Sequence, residues 1–179
     1  MIYIFLAEGF EEIEALAPVD ILRRAGLGVT TVGVTGKVVS GSHKIPVTAD
    51  IIADEVDFAN MEAVVLPGGL PGTYNLEASE VVKKSIEYCV ANDKYIAAIC
   101  AAPSVFGHMG ILSGKKATCY PGFEKDLLGA EYTGESVTVD GKIITGKGAG
   151  VSVEFALKLA EIFKDKETAD KLFASMQCK

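Results

Sequence analysis

The residue best suited to chemistry is Cys100, in the segment Tyr95-Ile-Ala-Ala-Ile-Cys-Ala-Ala-Pro103. An apolar strand ends here, one residue turns, and a helix begins, with Pro103 suited to its first turn. This is the pattern of a nucleophile elbow, which lifts a reactive atom above the edge of a sheet. Amide N–H groups at a helix N-terminus lower a thiol pKa from ~8.5 to roughly 3.5–7.5. The sequence therefore predicts a reactive thiolate at Cys100, with a buried structural cysteine as the alternative.

A second candidate segment, Leu66-Pro-Gly-Gly69, follows another buried strand. Glycines let backbone N–H groups approach a bound oxyanion, so Gly68 and Gly69 are candidates for binding substrate. A simple turn is the alternative. The functional interpretation requires that this strand lie beside the strand that ends at Cys100.

Acidic residues fill the segment Glu8-Gly-Phe-Glu-Glu-Ile-Glu14, where the first helix begins. Carboxylates are favoured at this end of a helix dipole, so we expect Glu11 and Glu12 to act in capping. Glu14 follows the apolar Ile13 and can turn inward. A thiolate and a carboxylate repel each other, so they coexist only if Glu14 keeps its proton and donates a hydrogen bond to the sulfur. Glu14 would then be a proton donor and acceptor for reaction at Cys100.

The other thiols and the two histidines favour structural roles. We expect His108 at a helix end, His43 at the surface, Cys89 in the core, Cys178 exposed near the chain end, and Cys119 buried. A resolving thiol is the alternative for Cys119. The cysteine spacings do not fit a zinc site, and no metal or cofactor is predicted.

Strands and helices alternate from the first residue. Strands are predicted from apolar or β-branched runs at 2–7, 29–34, 63–66 and 95–99, with a hairpin at 137–145 around Asp140-Gly141. Helices are predicted at 11–25, 79–92, 103–109, 152–163 and 167–175, and Pro18 predicts a kink or break in the first. The turn-rich stretch 37–52 favours an edge hairpin. This order implies one α/β domain over residues 1–179, with a mostly parallel sheet between layers of helices.

Composition limits the partners. Among 179 residues, 17 are Lys or Arg and 24 are Asp or Glu, which gives a net charge of −7. No basic run occurs, so nucleic acid and anionic membranes are not expected partners, whereas a small neutral or electrophilic substrate fits. Neither a signal peptide nor an apolar stretch of ~20 residues is found, so we expect a cytoplasmic protein with free thiols.

Together these segments resemble the ThiJ/PfpI superfamily, in the branch of the parkinsonism-associated DJ-one protein deglycase. The similarity covers essentially the whole chain and rests on residues 7–14, 18–26, 64–69, 97–103 and the glycine-rich turn 146–150. It implies a flavodoxin-like three-layer sandwich, a mostly parallel sheet with helices on both faces, and a homodimer. It also implies that Cys100 is the oxidation-prone nucleophile and Glu14 its protonated partner. Backbone amides at Gly69 and Ala101 would stabilise an oxyanion.

Three positions depart from the patterns of these relatives. Before Pro121 this branch often has a histidine, but Tyr120 stands here, which can orient or bind substrate yet is a poor base at pH 7. Of a partner-facing basic pair, Arg24 matches one member as a possible substrate-binding residue, while His43 replaces the second arginine. The intracellular-peptidase branch has a histidine directly after the nucleophile. That residue is Ala101 here, which disfavours peptide hydrolysis.

Two functions remain open, from different classes. The first is a cofactor-free glyoxalase or deglycase, in which Cys100 adds to a dicarbonyl such as methylglyoxal or its early protein adducts. The second is a non-enzymatic redox sensor or chaperone that responds to oxidative stress through oxidation of Cys100. A cysteine peptidase or glutamine-amidotransferase-like hydrolase is a weaker third reading.

Overall fold

The centre of the molecule is a seven-stranded sheet, seen in a computed structural model that describes residues 1–178. The strands are β1 (Ile2–Leu6), β2 (Val29–Gly33), β3 (Val38–Ser40), β4 (Pro46–Thr48), β5 (Ile51–Ile52), β6 (Ala63–Leu66), β7 (Tyr95–Ile99), β8 (Lys116–Ala117), β9 (Glu131–Tyr132), β10 (Val137–Asp140) and β11 (Ile143–Gly146). The helices are α1 (Glu12–Arg24), α2 (Gly72–Ala78), α3 (Glu80–Ala91), α4 (Pro103–His108), α5 (Ser152–Phe163) and α6 (Lys166–Ser175). Short 3-10 turns cover Ala53–Glu55, Phe58–Asn60, Glu124–Asp126 and Ala149–Val151.

The large sheet has the strand order β10-β11-β7-β6-β1-β2-β5. Its neighbouring strands run parallel except in the β10–β11 hairpin at one edge. The apolar strands are covered on both faces, because side chains alternate between two buried clusters. Ile4 and Leu6 pack with α1 and α5, whereas Phe5 packs with α2, α3 and α4. The predicted three-layer sandwich with a mostly parallel sheet is confirmed.

Helix α1 begins and ends close to the prediction. Its N-cap is Glu11, whose carboxylate accepts the backbone N–H of Glu14, and Gly26 follows its C-cap with φ +73°. Glycine adopts that left-handed conformation without steric cost, which explains why the helix ends there. Pro18 lies inside one continuous helix. The helix is therefore not broken at Pro18.

Some elements differ from the sequence-based expectations. The stretch 37–52 contains the expected hairpin as β3 and β4, and its last two residues add β5 to the edge of the main sheet. Ser79 is the N-cap of α3, but its side chain makes no capping hydrogen bond. Helix α2 and the two-stranded β8–β9 sheet were not predicted, because seven-residue and two-residue elements leave almost no periodic pattern.

Three loops that carry the candidate residues meet at one edge of the sheet. Strands β1, β6 and β7 are neighbours, and all three run parallel. The chain goes from β1 to β2 on one side, but places β6 and β7 on the other. Open α/β sheets bind ligands beyond the carboxyl ends of their strands at such a reversal. The condition set for the Pro-Gly-Gly segment, that its strand lie beside the Cys100 strand, is met.

Within residues 1–178, no helix is both long enough and apolar enough to cross a lipid bilayer.

Candidate active site

Cys100 directly follows β7, three residues before α4 begins, and has φ +66°, a conformation that non-glycine residues rarely adopt. Its backbone is fixed on both sides, since its N–H donates to Gly146 O at 2.9 Å and its carbonyl accepts from Tyr120 N–H at 2.8 Å. Strain that persists because surrounding bonds impose it is a mark of functional sites. The Cys100 side chain is half-buried. This geometry is the predicted nucleophile elbow.

The Pro-Gly-Gly loop comes so close to Cys100 that no side chain would fit at Gly68. A Cβ on Gly68 would lie 2.7 Å from Cys100 Cβ and 2.7 Å from Glu14 Oε2. Gly69 has φ +87°, and a Cβ there would lie 2.4 Å from Glu11 N. The two glycines thus let backbone, rather than side chains, line the floor of the site. The amides of Gly69 and Ala101 both act to lower the pKa of the Cys100 thiol.

Glu14 is fully buried in the first turn of α1. Its Oε2 accepts the Gly68 N–H at 2.8 Å and lies close to Cys100, since a Cβ on Gly68 would be 2.7 Å from both that oxygen and Cys100 Cβ. Glu14 Oε1 is buried with no hydrogen-bond partner among the described residues. An unpartnered buried carboxylate oxygen is costly, whereas a neutral carboxyl is much less so. The surroundings therefore favour a Glu14 that keeps its proton.

The pKa of Glu14 reflects this environment. Burial raises it to about 7, the contact with Cys100 lowers it, the Glu11 charge raises it further, and the Gly68 N–H lowers it. A carboxyl with a pKa near neutrality can both give and take a proton at physiological pH.

The pKa of Cys100 departs from the expectation. Burial raises it to about 12, and the Glu14 charge and hydrogen bond raise it too, while the amides of Ala101 and Gly69 lower it. The expected net lowering was therefore wrong, because burial, the largest cause, outweighs the two amides. The charge of Glu14 and the charge of the sulfur oppose each other, so thiol and carboxyl titrate as a pair. When Glu14 holds the proton, its repulsion disappears and the two amides act on the sulfur.

Tyr120 lies at the mouth of this site, and Arg24 lies far from it. Tyr120 is half-exposed, and its ring lies beside Gly148. Arg24 ends α1, ten residues beyond Glu14, which is about 15 Å along a helix. Its guanidinium pairs with Asp20 at 2.8 Å. This chain by itself therefore brings Tyr120, but not Arg24, to Cys100.

The sequence-based reasoning missed the role of Glu12. Expected to act in capping, Glu12 instead turns to the β3–β4 hairpin, where it accepts His43 N–H at 2.8 Å, His43 Nδ1 at 2.8 Å and Ser42 Oγ at 3.3 Å. Only glycine fits at position 41, because a Cβ on Gly41 would lie 2.2 Å from Glu12 Oε1. The contact joins residues 31 apart, so no local sequence pattern signals it. His43 is exposed as expected, and it helps to fix the hairpin to α1.

Glu11, Glu12 and His43 are also the one group of three potential metal ligands within the described part of the chain. Their ligand atoms lie within 4.8 Å of one another. Both oxygens of Glu12 already accept hydrogen bonds from the hairpin, and Glu11 Oε2 accepts from Glu14 N–H. These carboxylates therefore serve as hydrogen-bond acceptors in this structure.

The remaining thiols and histidine take the structural positions expected of them. Cys89 and Cys119 are fully buried, and burial raises the pKa of each thiol to about 12. Cys178 is partly exposed, and His108 is the last residue of α4. A resolving role for Cys119 would require the buried thiol to become accessible.

An α/β sandwich with a cysteine elbow, a buried glutamic acid and facing backbone amides defines the class of protein. The chain belongs to the DJ-1/PfpI family, which it matches over residues 1–162. It is 39% identical to the protein DJ-1 homolog B of Arabidopsis thaliana over 92% of this chain and 38% of that protein. It is 36% identical to the Parkinson disease protein 7 homolog of Danio rerio over 97% of this chain and 94% of that protein. The chain thus spans about two fifths of its plant relatives, but nearly all of the fish one.

A solved structure and two named activities complete the comparison. The oxidized DJ-1 of Toxoplasma gondii superposes with a TM-score of 0.95 at 35% identity, over 99% of this chain and 97% of that one. A Caenorhabditis elegans relative, 30% identical over 92% of this chain and 89% of its own length, is named a glutathione-independent glyoxalase. A Pyrococcus abyssi relative, 30% identical over 83% and 90%, is named a deglycase.

Proposed function

We propose that this chain is a cofactor-free, cysteine-dependent glyoxalase or deglycase that acts on methylglyoxal-type dicarbonyls or their early adducts. The observation that carries the proposal is the close approach of the buried Glu14 carboxyl to Cys100 at Gly68, where a Cβ would lie 2.7 Å from both Glu14 Oε2 and Cys100 Cβ. The relatives named glyoxalase and deglycase support the same reaction class. Residues 1–179 would act as one catalytic domain.

The chemistry starts with one proton shared by the pair. The Cys100 thiolate adds to the aldehyde carbon of methylglyoxal, and the new alkoxide takes the proton of Glu14 to give a hemithioacetal. The amides of Gly69 and Ala101 stabilise the oxyanion while it forms. Glu14, now a carboxylate, removes the hydrogen from the former aldehyde carbon to form an enediol and returns a proton to the adjacent carbon, while the hydroxyl proton on the first carbon passes to the oxygen of the second. The product is a thioester of lactate.

Water then completes the cycle. It hydrolyses the thioester to lactate and restores the Cys100 thiol, so that methylglyoxal plus water gives lactate with no net oxidation. The pKa of Glu14 at about 7 suits a group that must donate and then accept a proton. Tyr120 would donate a hydrogen bond to a substrate oxygen.

The test is lactate formation from methylglyoxal by the native protein, Cys100→Ala and Glu14→Ala. Each variant should lose at least a hundredfold in kcat/KM, because one removes the nucleophile and the other the proton shuttle. Cys178→Ser is the matched control, since it removes a partly exposed thiol outside the site and should keep native activity. Equal rates for the native protein and Cys100→Ala would overturn the proposal.

A second candidate function, redox sensing in oxidative stress, is favoured by the accessibility of the Cys100 thiol. Cys89 and Cys119 are fully buried, whereas Cys100 and Cys178 are partly exposed. Peroxide would convert the thiolate to sulfenic and then sulfinic acid, with Glu14 as hydrogen-bond donor to the sulfinate. Peptide mapping after mild peroxide should show a mass gain of about 32 Da, the mass of two oxygen atoms, on the peptide that contains Cys100. Oxidation confined to Cys178 would count against this role.

A reducing cytoplasm is the compartment we propose, because it keeps such a thiol free.

A homodimer is the assembly we propose. Ile13 and Leu16 lie three residues apart on α1 and are 55% and 36% exposed, and Val153 on the adjacent α5 is 37% exposed. Apolar side chains exposed together on packed helices favour an interface. Light scattering should give twice the monomer mass of 18.9 kDa, and Ile13→Asp should reduce it. A native protein of monomer mass at micromolar concentration would refute the dimer.

A further inference from the structure

Glu11 joins the two loops that carry Glu14 and the oxyanion amides. Its backbone N–H donates to Gly68 O at 2.9 Å, and its Oε2 accepts the Glu14 N–H at 2.8 Å. A third hydrogen bond runs from the Gly68 N–H to Glu14 Oε2 at 2.8 Å. These bonds form a closed ring through Glu11, Gly68 and Glu14, and each residue both gives and receives one hydrogen bond.

The backbone segments beside the ring are packed so closely that neither can move without the other. A Cβ on Gly69 would lie 2.4 Å from Glu11 N, and one on Gly72 would lie 2.6 Å from Phe10 N. The backbone of the loop before α1 therefore packs directly against the backbone of the Pro-Gly-Gly loop. A shift of Glu11 must move Gly68, and with it the acceptor position of Glu14.

The residue type at this N-cap is unusual. Short side chains such as Ser, Thr, Asp and Asn are preferred at N-caps, and glutamate is not among them. A requirement for capping alone does not explain Glu11. Its longer side chain places a second negative charge near Glu14, where it favours the protonated form of that carboxyl.

We propose that Glu11 is a positioning residue for the reaction at Cys100, which holds the Glu14 carboxyl against the sulfur and keeps it protonated between turnovers. This inference rests on the proposed function for its consequence in turnover, but not for its effect on the thiol. Glu11 touches Glu14 and Gly68 rather than the substrate. Its role is therefore carried through those two residues.

The test compares Glu11→Gln, which keeps the chain length and an acceptor oxygen, with Glu11→Ser, which is a good N-cap without charge. Removal of the charge should ease ionisation of Glu14, and the resulting carboxylate opposes ionisation of the Cys100 sulfur. The pH profile of Cys100 alkylation by iodoacetamide should therefore move to higher pH by about one unit in both variants. In Glu11→Gln, kcat for methylglyoxal should fall about tenfold with KM changed less than twofold, because the proton donor is lost at neutral pH.

Glu8→Gln is the matched control. Glu8 is an exposed acid three residues away whose Oε1 accepts from Ser40 N–H at 3.1 Å, so the substitution removes the same charge outside the ring. Its alkylation profile and kcat should stay native. Glu11→Asp, which keeps both charge and cap, should recover most of the native profile.

The outcomes separate this inference from the proposed function. Native alkylation profiles in both Glu11→Gln and Glu11→Ser would overturn the positioning role, whatever the turnover. So would a loss of kcat that matches only the fraction of unfolded protein in urea titrations, since that is the signature of a cap alone. Shifted alkylation profiles without any lactate production would support Glu11 and defeat the glyoxalase proposal.

Discussion

Gly68 stands where any side chain would collide with both reacting groups. A Cβ at this position would lie 2.7 Å from Cys100 Cβ and from Glu14 Oε2, so Gly68→Ala must push the thiol and the carboxyl apart. A displacement of about 1 Å in such a pair costs roughly a hundredfold in rate. We expect Gly68→Ala to lose about a hundredfold in kcat/KM for methylglyoxal and about 1–3 kcal/mol in stability from overpacking.

Gly150→Ala is the control for that substitution. Nothing lies within 4 Å of a Cβ at Gly150, and its φ is not in the left-handed region. Urea titration and lactate assays should therefore give native values for Gly150→Ala. Near-native turnover by Gly68→Ala would show that the spacing of Glu14 and Cys100 is not critical.

Tyr120 offers a phenol at the mouth of the site and no base. Tyr120→Phe removes one hydrogen-bond donor from a half-exposed ring and leaves the backbone bond from Tyr120 N–H to Cys100 O in place. Loss of one such bond is worth about 1 kcal/mol, or about fivefold. Steady-state kinetics should show KM raised about fivefold with kcat unchanged. A large fall in kcat would instead make the phenol part of the proton transfer.

At the scale of elements, the β3–β4 hairpin is fixed to α1 by Glu12. This carboxylate is 5% exposed and receives the backbone N–H and ring of His43 and the hydroxyl of Ser42. Glu12→Ala leaves these donors without an acceptor. We expect a loss of about 2 kcal/mol and a fall in Tm of about 4–8 °C, measured by calorimetry.

His43→Ala distinguishes the contribution of the His43 ring to stability from that of its backbone N–H. It removes the Nδ1 bond but keeps the N–H bond at 2.8 Å, so its Tm should fall less than that of Glu12→Ala. Equal losses in the two variants would place the stabilisation in the ring alone.

The same elements show what a single sequence can and cannot predict. The strands Ala63–Leu66 and Tyr95–Ile99 and the helix Ser152–Phe163 have the predicted limits, because continuous apolar runs and helical periodicity are local signals. The position of Cys100 at a strand-to-helix turn is local in the same way. The contact of Glu12 with His43 joins residues 31 apart, and no local pattern records it.

Long-range burial explains the error in the pKa of Cys100. The helix amides that lower the thiol pKa are visible in the sequence of the turn, but the degree of burial is not. Burial is the largest cause of the rise to about 12, and the charge of Glu14 adds to it. The sequence therefore predicts which groups meet, while the balance of their charges depends on packing by the whole sheet and its helices.

At the scale of the whole molecule, the buried Glu14 should make stability depend on pH. Its pKa is raised from 4.5 in an unfolded chain to about 7 in the native protein, chiefly by burial. Below pH 4.5 both states hold the proton and this contribution is fully present. Between pH 4.5 and 7 the unfolded chain releases the proton while the native state retains it, so stability falls as pH rises. The loss above pH 7 is about 3 kcal/mol.

Glu14→Gln removes this dependence, because the amide keeps the size of the side chain and an oxygen that can accept the Gly68 N–H, but does not ionise. Other ionisable groups, such as Glu12 with its lowered pKa, affect both proteins alike. The informative quantity is therefore the difference in unfolding free energy between the variant and the native protein. Urea titrations from pH 4 to 8 should show this difference moving by about 3 kcal/mol in favour of the variant. Parallel curves would mean that Glu14 is already ionised in the native state at low pH, and the proton shared with Cys100 would have to come from elsewhere.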